Sequence, residues 1–399
     1  MVHHGIVRVP DDLETPAVVV DVERLERNLT RMADSAAAAG VALRPHAKSH
    51  KCLEIARLQL AHGATGLTVA TLAEAEAFAA AGCPSVFVAF PLWAASGARP
   101  ERIRALRSRT DLRIGVDSAE AARALAAAAP GTRVLIEVDS GQHRSGILPA
   151  DVAPLAADCR KLGLDVVGAF THPGHSYGSA DSVKDTSGPE EFTAALRAGV
   201  AAAVADERAS LAQAGAALAD VLDQAPELSG GSSPTVAAEL GSAAESLEAE
   251  SPETEATETA RETTEPLTEV RPGTYVFGDR QQLTLSELPT ADVALVVAAR
   301  VVSVPSPGQV VLDAGSKALT SDRAGWMTGH GLILEAPEAT IVTLSEEHAV
   351  VRGVTTSLKT GDLVRIVPNH VCPVVNLTGS IAVVRDGKIA EHWRIVARR

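Results

Sequence analysis

A dense cationic stretch, residues 44–51 (RPHAKSHK), stands out in a 399-residue chain whose formal net charge is −14. Each neighbouring positive charge disfavours the addition of another proton to a lysine, and a partly neutral lysine is a nucleophile toward aldehydes. We therefore select Lys48 as the candidate for covalent chemistry. A solvated basic loop is the alternative for this stretch in isolation, so the rest of the chain must decide between the two.

Eight apolar runs, most of them rich in β-branched residues, follow one another along the first part of the chain. Ala-rich helical stretches such as 72–81, 119–129 and 192–218 lie between nearly all of them, and a strand over 15–21 leads into a first helix over 22–39. The runs cover 41–43, 66–70, 85–90, 112–116, 133–138, 166–170, 226–229 and 270–277. This alternation predicts an α/β fold with a closed (β/α)8 barrel, and a doubly wound open sheet is the alternative.

After residue 280 the pattern changes to short strand-like runs joined by turns. The Asp386-Gly387 pair between two apolar runs predicts a type I′ hairpin. We therefore expect a barrel over 16–280 and a mainly β domain over 281–399. Within the barrel, residues 242–265 are rich in Glu, Ala, Ser and Thr, so we predict a flexible or weakly helical surface insertion there.

Polar motifs follow the apolar runs at equivalent ends. In a parallel barrel the working residues lie at the carboxyl ends of the strands, so these motifs indicate one site. The motifs are the Lys48 stretch after the first run, 139–146 after the fifth, 172–178 after the sixth, 229–235 after the seventh, and 269–275 within the eighth.

The glycine- and serine-rich loop 229–235 (SGGSSPT) precedes a predicted helix that begins near Val236. Glycines let the backbone approach a ligand closely, so N–H groups near a helix N-terminus can bind a phosphate together with serine hydroxyls. A turn linker is the alternative, but barrels often place phosphate sites after the seventh strand. A nucleophilic lysine and a phosphate loop at one barrel mouth predict pyridoxal phosphate as cofactor.

The motifs quoted so far resemble those of the D-threonine aldolase and D-serine dehydratase family over nearly the whole chain. The matching strings are RPHAKSHK at 44–51, EVDSGQHRSG at 137–146, GHSY at 174–177, SGGSSPT at 229–235, RPGTY at 271–275, DAGSKA at 313–318 and PNHVC at 368–372. The resemblance implies an alanine-racemase-like (fold type III) arrangement, in which a barrel binds pyridoxal phosphate and the β domain also includes residues 1–15.

The resemblance also implies roles for individual residues. Lys48 would form the Schiff base, Arg144 would approach the ring oxygen, and Arg271 matches the racemase arginine that faces the pyridine nitrogen. The remaining cofactor contacts, most of them at the phosphate, would be Tyr177, Gly230, Gly231, Ser232, Gly273, Thr274 and Tyr275.

His370 and Cys372 select the branch within the family. Residues two apart on an extended chain point to the same side, so an imidazole and a thiolate can bind one metal ion. In isolation, a buried small hydrophobe is the favoured interpretation of Cys372. The resemblance favours the metal, since D-serine dehydratases carry His-x-Cys and bind zinc, whereas D-threonine aldolases place Asp at the second position and use manganese-like ions. A thiolate suits Zn²⁺ better than Mn²⁺, so we expect Zn²⁺ here.

From the resemblance we expect a lyase that converts D-β-hydroxy amino acids, such as D-serine or D-threo-3-hydroxyaspartate, to an oxo acid and ammonia. A metal-activated aldolase that yields glycine and an aldehyde is the close alternative. A racemase is less favoured because the chain has only two tyrosines. A non-catalytic pyridoxal-phosphate-binding protein is disfavoured by the β domain with His370 and Cys372.

The composition of the chain argues against some classes of binding partner. The net charge of −14 without a basic face argues against nucleic acid. No apolar run approaches the roughly 20 residues that span a bilayer, and the N-terminus lacks the apolar core of a signal peptide. The four cysteines form no CxxC pair. We therefore expect a cytoplasmic protein that binds neither nucleic acid nor membrane. We also expect a homodimer, and the resemblance implies a small-molecule D-amino acid as its substrate.

Overall fold

The computed structural model describes residues 7–179, 181, 188–240 and 267–398. Within these ranges the strands form two sheets, one of eight strands and one of nine. The predicted insertion at 242–265 lies outside the described residues. None of the described helices has the length and apolar character needed to cross a bilayer.

The eight-stranded sheet is the predicted barrel. Its strands pair in parallel in the order β2-β9-β8-β7-β6-β5-β4-β3, so the first strand lies beside the last. A bridge between His46 and Thr68 joins the two ends of this order. This neighbour relation confirms the barrel and excludes the doubly wound sheet. The strands are β2 (Ala42–Leu43), β3 (Leu67–Val69), β4 (Ser85–Val88), β5 (Asp111–Val116), β6 (Arg133–Glu137), β7 (Asp165–Phe170), β8 (Glu227–Gly230) and β9 (Glu269–Val270).

Helices follow the barrel strands, and side-chain caps explain where several of them begin. The side chains of Asp21, Thr71 and Ser118 each accept a hydrogen bond from a backbone N–H in the first turn of α1, α3 and α5. The helices are α1 (Val22–Ala38), α2 (Leu53–Ala61), α3 (Leu72–Ala80), α4 (Arg99–Arg107), α5 (Ala119–Ala128), α6 (Val152–Lys161) and α7 (Pro189–Ala219). A further helix, α8, is described over 233–240.

The nine-stranded sheet forms the β domain. It runs in the order β13-β14-β11-β10-β1-β16-β17, with β15 beside β10 and β12 beside β15. Asp386 and Gly387, which join β16 to β17, both have positive φ (52° and 75°), as the predicted type I′ turn requires. The strands are β1 (Ala17–Asp21), β10 (Leu295–Ser306), β11 (Gln309–Leu312), β12 (Leu332–Ile333), β13 (Thr340–Leu344), β14 (Ala349–Arg352), β15 (Leu363–Val367), β16 (Ser380–Arg385) and β17 (Lys388–Arg394). Three short helices, α9 (Arg280–Leu285), α10 (Ser316–Leu319) and α11 (Val371–Leu377), accompany them.

Two expectations about strands need correction. Strand β1 pairs with β10 and β16, so Ala17–Asp21 belong to the second sheet and not to the barrel. An apolar run indicates an extended chain but carries no information about its neighbours. The run at 270–277 is a strand only at its start, because β9 ends before Pro272, which lacks a backbone N–H, and the chain then turns through Thr274–Val276.

A buried ion pair ties two barrel strands together from the inside. Arg44 is 2% exposed, and its Nε lies 2.6 Å from Glu269 Oε2. Its Nη1 donates to Ser85 Oγ at 2.8 Å, while Ser229 Oγ donates to Glu269 Oε1 at 2.6 Å. The pair therefore connects β2, which precedes the Lys48 stretch, with β9, and through Ser229 it reaches β8, which precedes the glycine-rich loop.

Replacing Glu269 by glutamine should destabilise the protein strongly, because Arg44 would keep a buried charge without its counterion. We expect the free energy of unfolding to fall by about 3–5 kcal/mol in denaturant titrations. Glu26→Gln is the matched control, since its ion pair with Arg385 is exposed and should contribute about 0–1 kcal/mol. Equal effects of the two substitutions would contradict this account of the barrel interior.

Candidate active site

A cavity of about 740 Å³ opens at the carboxyl ends of the barrel strands and faces the β domain. The barrel contributes Lys48 after β2, Arg144 after β6, His172 after β7 and Ser233 after β8. The β domain contributes His370. Motifs that are widely separated in the sequence therefore share one pocket, as the strand-end argument predicts.

Most of the predicted site residues line this cavity, namely Lys48, Arg144, Tyr177, Gly231, Ser232, Arg271, Gly273, Thr274, His370 and Cys372. Gly230 and Tyr275 do not. A Cβ atom on Gly230 would meet Glu207 of α7, so this residue faces the helix layer. The Tyr275 hydroxyl accepts a hydrogen bond from Gln59 Nε2 at 3.1 Å, because successive residues of the turn at 274–276 point in different directions.

The positive charges of the Lys48 stretch are largely compensated. Arg44 is paired with Glu269, and Lys51 Nζ lies 3.2 Å from Glu74 Oε1 in a buried pair. Lys48 Nζ, by contrast, forms no hydrogen bond or salt bridge with the described residues, and Lys48 lines the cavity. Among the cationic side chains of this stretch, Lys48 is thus the one available to a ligand.

The imidazoles around Lys48 are held neutral. Burial lowers the pKa of His50 to about 4, and its Nε2 lies 3.1 Å from Gln59 Oε1. Burial also lowers the pKa of His46 and of His172 well below the usual range, and the charge of Lys48 adds to both shifts. A neutral imidazole can accept a hydrogen bond, so these two side chains give the cavity polar walls without further positive charge.

Arg271 is a buried cation at the inner end of the cavity. Its guanidinium donates to Ser229 Oγ and to the Thr171 carbonyl oxygen. The side chain lies 5.6 Å and 5.2 Å from the ring centroids of Phe87 and Phe170. Burial lowers the pKa of Arg271 to about 10, against the opposing effect of nearby carboxylates, so it stays protonated at neutral pH. It supplies a fixed positive charge that cannot accept a proton.

A pocket for an oxyanion lies at the N-terminus of α8. Ser233 Oγ accepts hydrogen bonds from the N–H groups of Gly273 (3.2 Å) and Thr274 (3.1 Å). Thr274 Oγ1 is buried, and in the described structure it has no hydrogen-bond partner. A Cβ on Gly273 would lie 2.5 Å from Ser49 Oγ, so the close approach of these segments requires glycine. An orphan hydroxyl beside a helix N-terminus fits a phosphate group.

Ser233 was within a predicted motif but not among the predicted cofactor contacts. Its position directly at the start of α8 gives it this role, because the helix begins earlier than the expected Val236. Ser232 precedes it and caps the helix, accepting from Thr235 N at 3.3 Å. The position of Ser233 directly after the glycine-rich turn was the sequence signal that could have predicted this role.

Tyr177 is a partly buried residue that lines the cavity. Burial raises the pKa of its hydroxyl, and the charges of Asp279 and Cys372 add to this effect. Its backbone carbonyl accepts a hydrogen bond from Trp326 Nε1 at 2.8 Å. The phenol therefore stays protonated and can donate a hydrogen bond into the cavity.

His370 and Cys372 lie together on the cavity wall, although the local geometry differs from that expected. His370 is extended (φ −138°), but Cys372 lies in the first turn of α11 rather than on an extended chain. Cys372 Sγ is 3.3 Å from Ser49 Oγ, next to Lys48. The side chains meet because the helix begins between them.

Asp279 orients this pair. Its Oδ2 lies 3.3 Å from His370 Nδ1 and accepts from Val371 N at 3.0 Å, while its Oδ1 accepts from Gln282 N at 2.9 Å. A carboxylate behind one imidazole nitrogen leaves the other nitrogen for a metal, a common arrangement in metal sites. Sequence reasoning missed Asp279, whose only signal was an N-cap position at α9 far from His370 along the chain.

The electrostatics favour a charged pair. Burial opposes both charges, but the thiolate of Cys372 and the carboxylate of Asp279 together raise the pKa of His370 well above its usual range. Burial raises the pKa of Cys372, but the positive charge of His370 lowers it by more, and Lys48 lowers it further. The net shift of the Cys372 pKa is therefore downward. A thiolate is the form that binds metal ions. Within the described ranges no group of three or more His, Cys, Asp or Glu side chains is placed to hold a metal ion.

Comparisons with known proteins agree with this geometry. The family model for the alanine racemase N-terminal domain matches residues 20–281, and the serine dehydratase domain matches residues 294–384. D-threo-3-hydroxyaspartate dehydratase from Delftia sp. is 33% identical over 96% of this chain and 97% of that protein. The chain belongs to the D-threonine aldolase and D-serine dehydratase family. Its homologues are pyridoxal-phosphate-dependent lyases of the alanine-racemase-like fold.

Further family members show the same extent of similarity. D-threonine aldolase from Arthrobacter sp. is 32% identical over 97% of this chain and 93% of that protein. The solved D-threonine aldolase from Filomicrobium marinum aligns with a TM-score of 0.77 at 28% identity, covering 98% of both chains. A solved cysteine-to-alanine variant of the dehydratase, in a metal-free form, aligns with a TM-score of 0.78 at 29% identity over 96% of this chain and 98% of that one.

One loop contact departs from the family role expected for Gly231. Its N–H donates to Glu207 Oε1 at 2.5 Å, so this group is already satisfied from behind the loop. Glu207 lies on α7 and is fully buried. Burial raises the pKa of Glu207 to about 8, and the charge of Glu239 adds to the shift. This hydrogen bond fixes the glycine-rich loop to α7, and it occupies the Gly231 N–H that was expected to contact the cofactor.

Glu207 should make stability depend on pH. Because its pKa in the folded protein lies above the ordinary value, the folded state holds the proton more tightly, and stability falls as pH rises toward about 8. Glu207→Gln keeps an acceptor for Gly231 but cannot ionise. Relative to this variant, we expect the wild type to lose roughly 3 kcal/mol of unfolding free energy between about pH 5.5 and about pH 8 in denaturant titrations.

The control for this experiment is Glu391→Gln, which changes an exposed glutamate. Its stability profile should run parallel to that of the wild type. A Glu207→Gln profile that also runs parallel to the wild type would show that Glu207 ionises normally in the folded protein.

Proposed function

We propose that the chain is a pyridoxal-phosphate- and zinc-dependent dehydratase of D-β-hydroxy amino acids. The observation that carries this proposal is that His370 and Cys372 line the same cavity as Lys48. Cys372 is close enough to Lys48 for the lysine charge to lower the pKa of its thiol. A reactive amine beside a metal-binding pair joins the two functions that β-elimination of a hydroxyl group requires.

The residues present fit both groups. Lys48 would hold the cofactor aldehyde, the Ser233, Gly273 and Thr274 pocket would hold its phosphate, and Arg271 would give the ring a fixed positive neighbour. When bound, pyridoxal phosphate supplies an electron sink for charge at the substrate Cα. His370 and Cys372 would hold Zn²⁺, whose Lewis acidity assists departure of the β-hydroxyl group. The thiolate supports zinc over manganese.

The chain's own groups divide the proton transfers. Lys48 would remove the Cα proton. The neutral imidazoles of His46 and His172 place no further positive charge beside the Lys48 amine. The β-hydroxyl would leave on the side of His370 and Cys372. Loss of water gives an enamine whose hydrolysis consumes water and releases ammonia, so D-serine would yield pyruvate and ammonia.

The relatives support this choice. One relative is a D-threo-3-hydroxyaspartate dehydratase, and solved variants of that enzyme replace a histidine and a cysteine two positions apart by alanine, the cysteine variant being metal-free. His370 and Cys372 have the same spacing. Loss of the β-hydroxyl proton instead would break the Cα–Cβ bond. The similarity to D-threonine aldolase makes that reaction the second candidate. The homodimer, the cytoplasmic location and the domain limits at 280/281 stay predictions.

A product assay tests the proposal. Wild-type protein incubated with D-serine, D-threonine and D-threo-3-hydroxyaspartate should release ammonia and oxo acid without glycine, and a chelator should suppress this release. Lys48→Ala should form no product, whereas Lys317→Ala, which changes an exposed lysine of the β domain, should behave as wild type. Glycine and aldehyde without ammonia would refute the dehydratase and establish the aldolase.

A further inference from the structure

A loop of the β domain, residues 320–331 between α10 and β12, forms one wall of the cavity through Asp322, Arg323, Ala324 and Gly325. Trp326 fixes this loop to the barrel. Its Nε1 donates to the Tyr177 carbonyl oxygen at 2.8 Å, and its ring packs on Phe192 of α7 with a centroid separation of 6.0 Å. The loop is therefore held to the barrel by an aromatic anchor next to its cavity-lining residues.

A second set of contacts fixes the loop to the metal-binding pair. Asn369, the residue before His370, donates through Nδ2 to the Gly329 carbonyl oxygen at 3.0 Å. Arg280 donates through Nη1 to the carbonyl oxygen of Thr328. The loop thus keeps a defined position relative to His370, and a side chain on it has a defined reach into the cavity.

Arg323 is an exposed cation on this loop, without a hydrogen bond or salt bridge to any residue in the described ranges. Two acidic side chains also line this wall. Asp322 is its chain neighbour, and the Asp181 carboxylate lies against Gly325, where a Cβ would be 2.5 Å from Oδ1. Neither is within salt-bridge distance of the Arg323 guanidinium, so its donors have no partner within the part of the chain that the structure describes.

We propose that Arg323 binds the second carboxylate of a dicarboxylic D-β-hydroxy amino acid and so selects 3-hydroxyaspartate-type substrates over D-serine and D-threonine. This inference rests on the proposed function, in which the Cα lies near Lys48 and the β-hydroxyl lies near His370 and Cys372. In such a substrate the β-carboxylate is bonded to the carbon that carries the hydroxyl, and Arg323 is a cation of the same domain as His370 and Cys372 that lines the same cavity. A guanidinium binds a carboxylate through two parallel N–H donors, and neither D-serine nor D-threonine offers a partner there.

The other exposed arginine of the cavity does not replace it. Arg144 follows β6 on the barrel side, where it lies near Glu137 and His172. That side is the one expected to contact the cofactor. Arg323 is thus the exposed cavity-lining arginine that remains for a second carboxylate of the substrate.

Arg323→Met should separate the two substrate classes. We expect kcat/KM for D-threo-3-hydroxyaspartate to fall roughly 10- to 100-fold, mainly through a higher KM, because a charge-assisted hydrogen bond is lost. The value for D-serine should change less than about threefold, since D-serine makes no contact with this residue. Arg323→Lys, which keeps the charge without the planar fork, should give an intermediate value for the dicarboxylic substrate only.

Arg352→Met serves as the control, because Arg352 is an exposed arginine of the same domain that does not line the cavity. Rates are followed by substrate consumption, so the result does not depend on whether ammonia or glycine is formed. Wild-type protein inactive on every substrate would refute the proposed function. An active wild type whose Arg323→Met variant loses both substrates equally, or neither, would refute the role of Arg323 alone.

Discussion

The buried ion pair between Arg44 and Glu269 is the contact on which the site depends. It joins β2, which leads to Lys48, with β9, which leads to Gly273 and Thr274. Through Ser229 it extends to β8 and to the guanidinium of Arg271. Removing one partner of such a pair lowers the stability of the protein strongly, because the other partner would remain as an unpaired buried charge. The strands that carry the amine and the phosphate pocket are thereby held in one register.

The same principle of compensation leaves Lys48 as a usable amine. Arg44 and Lys51 each form an ion pair with a buried carboxylate. Burial lowers the pKa of His46, His50 and His172, so these imidazoles are neutral. Lys48 is therefore the cation of its stretch without a carboxylate partner among the described residues, while Arg271 supplies a second, buried cation to the same cavity. Asp279, itself held by backbone N–H groups, orients that pair. Side chains from two domains thus line a single cavity.

Much of the fold and of the candidate site could be predicted from the sequence. The alternation of strands and helices, the polar motifs at strand ends and the His-x-Cys pair are all local patterns. The alternation of apolar runs predicted the barrel, and the Asp386-Gly387 turn has the expected backbone. What the sequence could not reveal depends on contacts between distant segments. The pairing of β1 with β10, the support of His370 by Asp279 and the capture of the Gly231 N–H by Glu207 all leave no periodic signal. Tyr275 was misjudged for a related reason, since only the turn geometry shows that it faces away from the cavity.

In the proposed reaction a metal held by His370 and Cys372 determines which bond breaks. The most direct measurement is therefore the metal content of Cys372→Ala, together with its ammonia release and its visible cofactor absorbance. Cys83→Ala, which alters a buried thiol away from the cavity, is the reference. We predict that Cys372→Ala loses stoichiometric zinc and ammonia release but keeps the cofactor absorbance, whereas Cys83→Ala keeps all three. Full zinc retention by Cys372→Ala would contradict the account.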